Sequence, residues 1–228
     1  MEEIAKLGIR LFEEQIVNRK RIRELSKQIC SELLIAHCLS LGVIKYMYDQ
    51  FLGIPGKTNA KISAQLPLLA SFIQGIDLCE ISIMEGLYSQ AATLLKQELE
   101  TIAAVNECII EKRKNKRTPN VKHVGFGLGE EYGFLNGIGH LSDKDLFEHI
   151  FSAVPDSRMK DQRPVSIVPQ FDKEYCRYFY SMHILLIFQA IQQLEQLFTD
   201  MYGYEKAEKI QQALNRIQNI LMKCGVIL

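Results

Sequence analysis

The sequence predicts an all-α protein, a bundle of four long helices with short helices and an irregular insertion that contains glycine and proline. Only six prolines occur among 228 residues, which leaves long stretches without the commonest helix breaker. Apolar residues recur in these stretches at intervals of three and four, the period of an amphipathic helix. No segment shows the alternation typical of a strand, so the apolar faces must pack against one another.

The first long helix is predicted over Ile9 to Ala36, with a kink near Gly42. A turn follows in the segment 51–56, because Pro55 lacks an N–H donor and Gly56 permits positive φ. The apolar positions of this helix are 9, 12, 16, 22, 25, 29, 33 and 36.

The second long helix is predicted as one continuous element from Leu68 to Lys116, about fourteen turns. The basic run 112–117 suits its C-terminal end, where cations oppose the negative pole of the helix dipole. Thr118 and Pro119 then end it.

Irregular structure is predicted for 117–131 and 153–171. Six of the fourteen glycines fall between 119 and 142, and three of the six prolines fall between 153 and 171. Short helices are expected over Glu130 to Asn136 and up to Phe151.

The last two long helices follow Asp172, a suitable N-cap, and are separated at Gly203. The final helix is predicted over Tyr204 to Cys224. Together these elements indicate a single helical domain over 1–228.

Composition indicates a cytoplasmic protein without a membrane span. Lys plus Arg and Asp plus Glu both number 27, which removes the overall basic field of a general nucleic-acid binder. The six cysteines form no C-x-x-C pair, and the N-terminal sequence lacks a cleavable apolar segment. The most apolar run, Leu33 to Ile44, is shorter than the roughly 20 residues that a span needs.

Two carboxylates fall on the apolar face of the second predicted helix. On one continuous helix Glu80 and Glu98 are five turns, or about 27 Å, apart, so each needs its own partner. A buried carboxylate is costly unless a cation or a hydrogen-bond donor lies beside it. The sequence therefore predicts two separate buried polar sites.

Candidate partners lie on the first and third long helices. Arg19, Arg23 and His37 are on the inward side of the first helix, and His183 is in the middle of the apolar face after Asp172. We interpret these residues as structural ion pairs that fix helix packing, with active-site chemistry as the alternative.

No metal or cofactor is expected. Di-iron helical bundles place a Glu-x-x-His pair on each of two helices, and this sequence contains none. The histidines at 140 and 149 do not have a zinc-ligand spacing either.

Two stretches carry a family resemblance that covers about a quarter of the chain. The segment QAATLLKQELETIAAV, Gln90 to Val105, is followed by Tyr132-x-x-Leu135-x-x-x-x-His140. These residues resemble uncharacterised bacterial all-helical proteins that are distantly similar to the HEPN superfamily. Lys96 stands where that pattern has arginine.

The resemblance implies a metal-independent ribonuclease. Such enzymes carry Arg-x(4 to 6)-His, whose side chains act on the 2′-hydroxyl and the phosphate of RNA. Arg117-x5-His123 and Arg177-x5-His183 both have this spacing, and a dimer could complete the site from two subunits. The candidate catalytic residues are Arg177, His183 and His140.

Our leading hypothesis is a helical interaction or regulatory module with a protein partner or self-association, in which a mobile glycine-rich segment forms the functional edge. The ribonuclease, with RNA as its partner, is one alternative. The other is a small-ligand receptor in which Glu80 or Glu98 faces a ligand between the helices.

Overall fold

The computed structural model describes residues 1–140, 142, 144–152 and 165–227, without the side chains of 123, 145–147 and 149. This part of the chain forms eight α-helices and one 3-10 turn, Val121–His123, and its only strand-like pairing is an isolated bridge between Ser152 and Val165. The predicted all-α fold class is confirmed. The helices are α1 Glu2–Ile29, α2 Ser31–Gln50, α3 Ala60–Met84, α4 Tyr88–Ile109, α5 Tyr132–Gly139, α6 Lys144–Phe151, α7 Lys173–Tyr202 and α8 Glu208–Lys223.

The first predicted helix is divided between α1 and α2, which meet at a bend of 93°. The break lies at Cys30, with φ −104° and ψ 20°, so the expected kink near Gly42 is wrong. The Cys30 thiol is buried, and its sulfur lies 3.8 Å from the sulfur of Cys176 in α7. Packing against α7 therefore bends the chain at Cys30, although the spacing of apolar residues continues from α1 into α2.

The second predicted helix is also divided, which corrects the expectation of one continuous element. Gly86 lies between α3 and α4 at φ +76°, a conformation that L side chains rarely adopt. The two helices pack together as a hairpin. α4 then ends at Ile109 rather than near 116, and Glu111 just after it has φ +55°.

α7 is the central helix of the fold. Its residues from 182 to 191 are all buried, so the helix is covered on every side rather than along one stripe. It packs against α2, α3 and α4, and α8 packs against α2. The predicted ends of α7 are confirmed, because Asp172 accepts a bond from the Tyr175 amide and Gly203 adopts φ +66°.

The glycine-rich segment is anchored to the core rather than free. The side-chain oxygen of Gln189 accepts from the Gly125 amide at 3.0 Å, and its amide nitrogen donates to the Gly125 carbonyl at 3.3 Å. Val124 and Leu128 on either side are buried. This anchoring argues against the mobile edge that the glycine content suggested.

Only part of the second irregular segment falls within the described residues, since 153–164 lie outside them. Residues 165–171 run beside α1, where Gln15 donates to the Ile167 carbonyl at 3.2 Å and Asn18 donates to the Pro169 carbonyl.

α3 is long and apolar enough to cross a membrane, with a mean hydropathy of 1.5 over its most apolar window, of which 39% is buried inside the fold. Buried core helices of soluble proteins pass the same test, so this is weak evidence. Its outward positions include Ser63, Ser71, Gln74 and Asp77, as is typical of a helix that packs on one face.

Candidate functional sites

The first buried carboxylate lies beside arginines of α1. Nη2 of Arg23 donates to both carboxylate oxygens of Glu80 at 2.9 Å. Glu85, at the end of α3, is 3.7 Å from Arg23 and 3.6 Å from Arg19. These pairs connect α1 to α3 and satisfy the charge that the sequence placed on an apolar face.

The second buried carboxylate lies beside a histidine of the central helix. Nδ1 of His183 is 2.9 Å from Oε2 of Glu98, and His183 has no exposed surface. Because the chain turns at Gly86, the 27 Å separation predicted for Glu80 and Glu98 on one continuous helix does not apply. Cys79, next to Glu80 in sequence, places its thiol close to the Glu98 carboxylate.

His37 belongs to the same buried region. Its Nδ1 shares a 2.7 Å hydrogen bond with the Tyr180 hydroxyl, and its ring contacts that of His183 edge-on, with centroids 5.3 Å apart. Burial and, to a lesser extent, the neighbouring His183 together lower the pKa of His37 to about 3. His37 is therefore neutral at physiological pH.

Three buried polar atoms in this region lack a hydrogen-bond partner among the described residues: Oε1 of Glu98, Nε2 of His183 and Nε2 of His37. Buried polar atoms are normally satisfied, so unsatisfied ones concentrated in one place indicate a bound species or a functional constraint. The sequence pointed to each of these residues separately, but it did not place them together.

A second, accessible cluster joins α4 to α5. Nζ of Lys96 lies 3.0 Å from Nε2 of His140, and the Tyr132 hydroxyl donates to Glu100 at 2.8 Å. Lys96 also lies 5.5 Å from the centre of the Tyr132 ring. Tyr132 and His140 of the family resemblance therefore both lie beside Lys96 at the surface, although two helices supply these residues.

The structure does not bring Arg177 and His183 together. Arg177 is exposed and donates to the Cys224 carbonyl at 2.9 Å, whereas His183 is enclosed in the core. Six positions on one continuous helix rotate two side chains roughly 120° apart, so a single substrate cannot contact both within one chain. The other match, Arg117 and His123, lies partly outside the described residues because the His123 side chain is not included.

Several large apolar side chains of α1 are exposed. Every residue from 1 to 10 is exposed, including Ile4 at 70%, Leu7 at 54% and Ile9 at 58%. Phe12 and Val17 are also exposed, at 64% and 67%. The N-terminal half of α1 thus lacks a partner among the described residues for several large apolar side chains.

A cavity of about 330 Å³ lies beside this helix, between α1, the start of α4, α6 and the segment 166–170. Its lining includes Arg19, but neither Glu80 nor Glu98. The small-ligand hypothesis that placed a ligand against those two carboxylates therefore receives no support from the cavity.

Comparison with family models, curated proteins and solved structures finds no match for this chain. The class of protein is therefore defined by the fold itself, an all-helical protein organised around α7, with a buried polar cluster and an exposed apolar half-helix.

Proposed function

We propose that this protein is a cytoplasmic helical interaction module that self-associates through the N-terminal half of α1. The observation that carries the proposal is the exposure of Ile4 and Leu7 on a helix whose later turns are packed. Contiguous apolar surface on an otherwise well-packed protein marks an interaction site. All six cysteines are free thiols, which supports a reducing compartment.

One face of α1 is packed against the protein in its later turns and exposed in its first turns. Ile22 and Ile29 of this face pack on the body, and Gln15 and Asn18 bind carbonyls of the segment 165–171. Ile4, Leu7 and Leu11 continue the same face at intervals of three and four. The face is therefore satisfied along its C-terminal two thirds and open at its N-terminal third.

The open surface on this face is small. Ile4 and Leu7 are more than half exposed there, whereas the equally exposed Ile9, Phe12 and Val17 lie on other sides of α1. A patch of this size is at the small end of interfaces between folded proteins. A second copy of the chain is the partner that always offers a matching apolar face, and a two-fold arrangement uses this one surface twice.

The test is molar mass in solution, measured by light scattering after gel filtration and by native mass spectrometry. We expect a dimer for the wild type and a monomer for the double variant Ile4→Glu/Leu7→Glu. Val17→Glu is the matched control, because Val17 is equally exposed but lies roughly 100° around the helix, and it should remain dimeric.

A wild-type monomer across the micromolar range would overturn self-association. Dimers that persist in the double variant would overturn the assignment to α1. Binding of the wild-type monomer to phospholipid vesicles, lost in the double variant, would instead identify α1 as a membrane-surface helix.

We propose the HEPN-like ribonuclease as the second candidate function, supported by the contact of Lys96 with His140. Because lysine can only donate, it donates to Nε2 of His140, and the Nδ1 of a neutral ring then carries the proton. The pair presents a cation and an exposed N–H donor, a combination that suits a phosphate group. This candidate uses His140 rather than Arg177 and His183.

The test is cleavage of a fluorescent single-stranded RNA in the presence of a chelator. We expect activity that falls at least roughly a hundredfold in His140→Ala and Lys96→Met. Lys209→Met is the matched control, since Lys209 lies 4.0 Å from the Tyr46 ring in a similar exposed contact elsewhere. Absence of cleavage in the wild type, or equal cleavage in all three variants, would remove this candidate.

A further inference from the structure

Three metal-ligating side chains meet in the core. The Sγ of Cys79, one carboxylate oxygen of Glu98 and one ring nitrogen of His183 all lie within 4.8 Å of one another. The three residues are 0%, 5% and 0% exposed. They come from α3, α4 and α7 respectively, so they approach one another only when these helices pack.

The separation of the three atoms is close to that of ligands around one tetrahedral zinc ion. Zinc bonds of about 2.3 Å to sulfur and about 2.0 Å to nitrogen or oxygen place neighbouring ligand atoms about 3.5 Å apart. Ligand atoms up to 4.8 Å apart must approach by about 1 Å. Nδ1 of His183 and Oε2 of Glu98, which are 2.9 Å apart, must separate, or one of these side chains must bind through its other polar atom.

The unsatisfied atoms of the region provide an independent indication of a ligand. Glu98 and His183 each leave one polar atom buried without a hydrogen-bond partner among the described residues. The ring of His37, which contacts His183, has a similarly unsatisfied Nε2 but lies outside the group of three ligand atoms. Buried polar atoms are normally satisfied, so three unsatisfied atoms in one place favour a species that bonds to them.

We propose that Cys79, Glu98 and His183 form a zinc-binding site that joins α3, α4 and α7. Thiolate and imidazole ligands favour zinc over magnesium or calcium, and the carboxylate adds a second negatively charged ligand. One thiolate, one carboxylate and one neutral imidazole balance the two positive charges of the ion. The proposal is independent of self-association and of RNA cleavage.

Binding exchanges a proton for the metal. Burial raises the pKa of the Cys79 thiol well above its usual value, and the Glu98 carboxylate beside it raises the pKa further, so the metal-free thiol is protonated. Zinc binding forms the S–Zn bond, breaks the S–H bond and releases the proton to solvent. The ion then replaces the hydrogen bonds that Glu98 makes in the metal-free form.

The sequence could not indicate this site by spacing. A search for Glu-x-x-His or for paired cysteines examines ligands that are close in sequence, whereas these ligands are separated by 19 and 85 positions. The expectation that no metal binds rested on that kind of search.

The experiment uses the full-length protein, stripped with a chelator and then given one equivalent of Zn²⁺ or Co²⁺. We expect one metal ion per chain to remain after gel filtration, measured by elemental mass spectrometry. The cobalt form should show thiolate-to-cobalt charge-transfer absorption, and zinc should raise the melting temperature because it binds only the folded arrangement.

Cys79→Ser should lose the charge-transfer band and the rise in melting temperature. Cys108→Ser is the matched control: Cys108 is also a buried thiol, but it lies ten residues beyond Glu98 on α4, about 15 Å along the helix. This variant should behave as the wild type.

Three results would overturn the site: no metal retained by the wild type, a charge-transfer band that survives in Cys79→Ser, or one that disappears in Cys38→Ser, which removes the exposed thiol. If circular dichroism shows that Cys79→Ser does not fold, Glu98→Gln replaces it. That variant keeps the shape of the side chain and should weaken zinc binding at least roughly tenfold; unchanged affinity would overturn the proposal.

Discussion

Arg23 of α1 and Glu80 of α3 form an ion pair in which one guanidinium nitrogen lies 2.9 Å from both carboxylate oxygens. The carboxylate is 9% exposed and the arginine side chain 29% exposed, so water screens the pair only partly. The pair lies in the packed part of α1, about three turns after its exposed N-terminal third. It therefore helps to hold on the body of the protein the helix that we assign to self-association.

Removal of one partner of this pair should destabilise the protein more than removal of both. Arg23→Met leaves the Glu80 carboxylate buried without its main donor, and we expect a loss of about 1–3 kcal/mol after allowance for the exposure of the arginine. The double variant Arg23→Met/Glu80→Leu should recover at least half of that loss. Urea denaturation followed by circular dichroism measures both values.

An exposed ion pair provides the comparison for this cycle. Lys45 and Asp49 on α2 form an i,i+4 pair at the surface, and Lys45→Met should change stability little. Equal stability losses for Arg23→Met and Lys45→Met would show that the buried position of Glu80 has no energetic consequence.

The glycine between α3 and α4 should not tolerate a side chain. At Gly86 a Cβ atom would lie 2.8 Å from the Gln170 carbonyl oxygen, and the residue has φ +76°. We expect Gly86→Ala to cost about 2 kcal/mol or more, from the backbone conformation and the contact together. The midpoint of urea unfolding measures this change.

Gly75 is the matched position inside α3, where nothing lies within 4 Å of an added Cβ. Gly75→Ala should stabilise the protein by up to about 1 kcal/mol, because alanine loses less backbone entropy in a helix. A destabilised Gly75→Ala, or a neutral Gly86→Ala, would contradict the assignment of the helix break to Gly86.

The sequence predicted the helical segments better than their breaks. An apolar period of three and four continues across both Cys30 and Gly86, so periodicity alone predicts continuous helices there. At Gly86 the signal was a single glycine, which helices also tolerate in their interiors, as Gly42 and Gly75 show. The decisive forces, contacts with α7 and with residue 170, are tertiary and have no local sequence signature.

The candidate site was predictable as individual residues but not as an arrangement. The placement of Glu80 and Glu98 on an apolar face correctly indicated burial and a need for partners, and arginine and histidine are indeed the partners. Cys79 was missed because a cysteine on a buried face is common and carries no spacing signal. Its significance depends on two other helices.

Protonation of His37 should make the free energy of unfolding depend on pH. Its pKa is about 3 in the folded protein and about 6.5 when unfolded, so between these values only the unfolded chain takes up the proton. Stability is therefore complete above pH 6.5 and falls as the pH decreases toward 3, by up to about 1.4 kcal/mol per pH unit. Between pH 7 and pH 4.5 this group accounts for about 2 kcal/mol.

The measurement compares urea unfolding of the chelator-treated protein at pH 7 and pH 4.5 with that of His37→Gln, because carboxylates also titrate in this range. Glutamine does not titrate and retains a group able to bond with the Tyr180 hydroxyl, so the variant should lose less stability on acidification than the wild type by about 2 kcal/mol. If His37→Gln and the wild type follow the same pH dependence, His37 does not titrate as its burial requires.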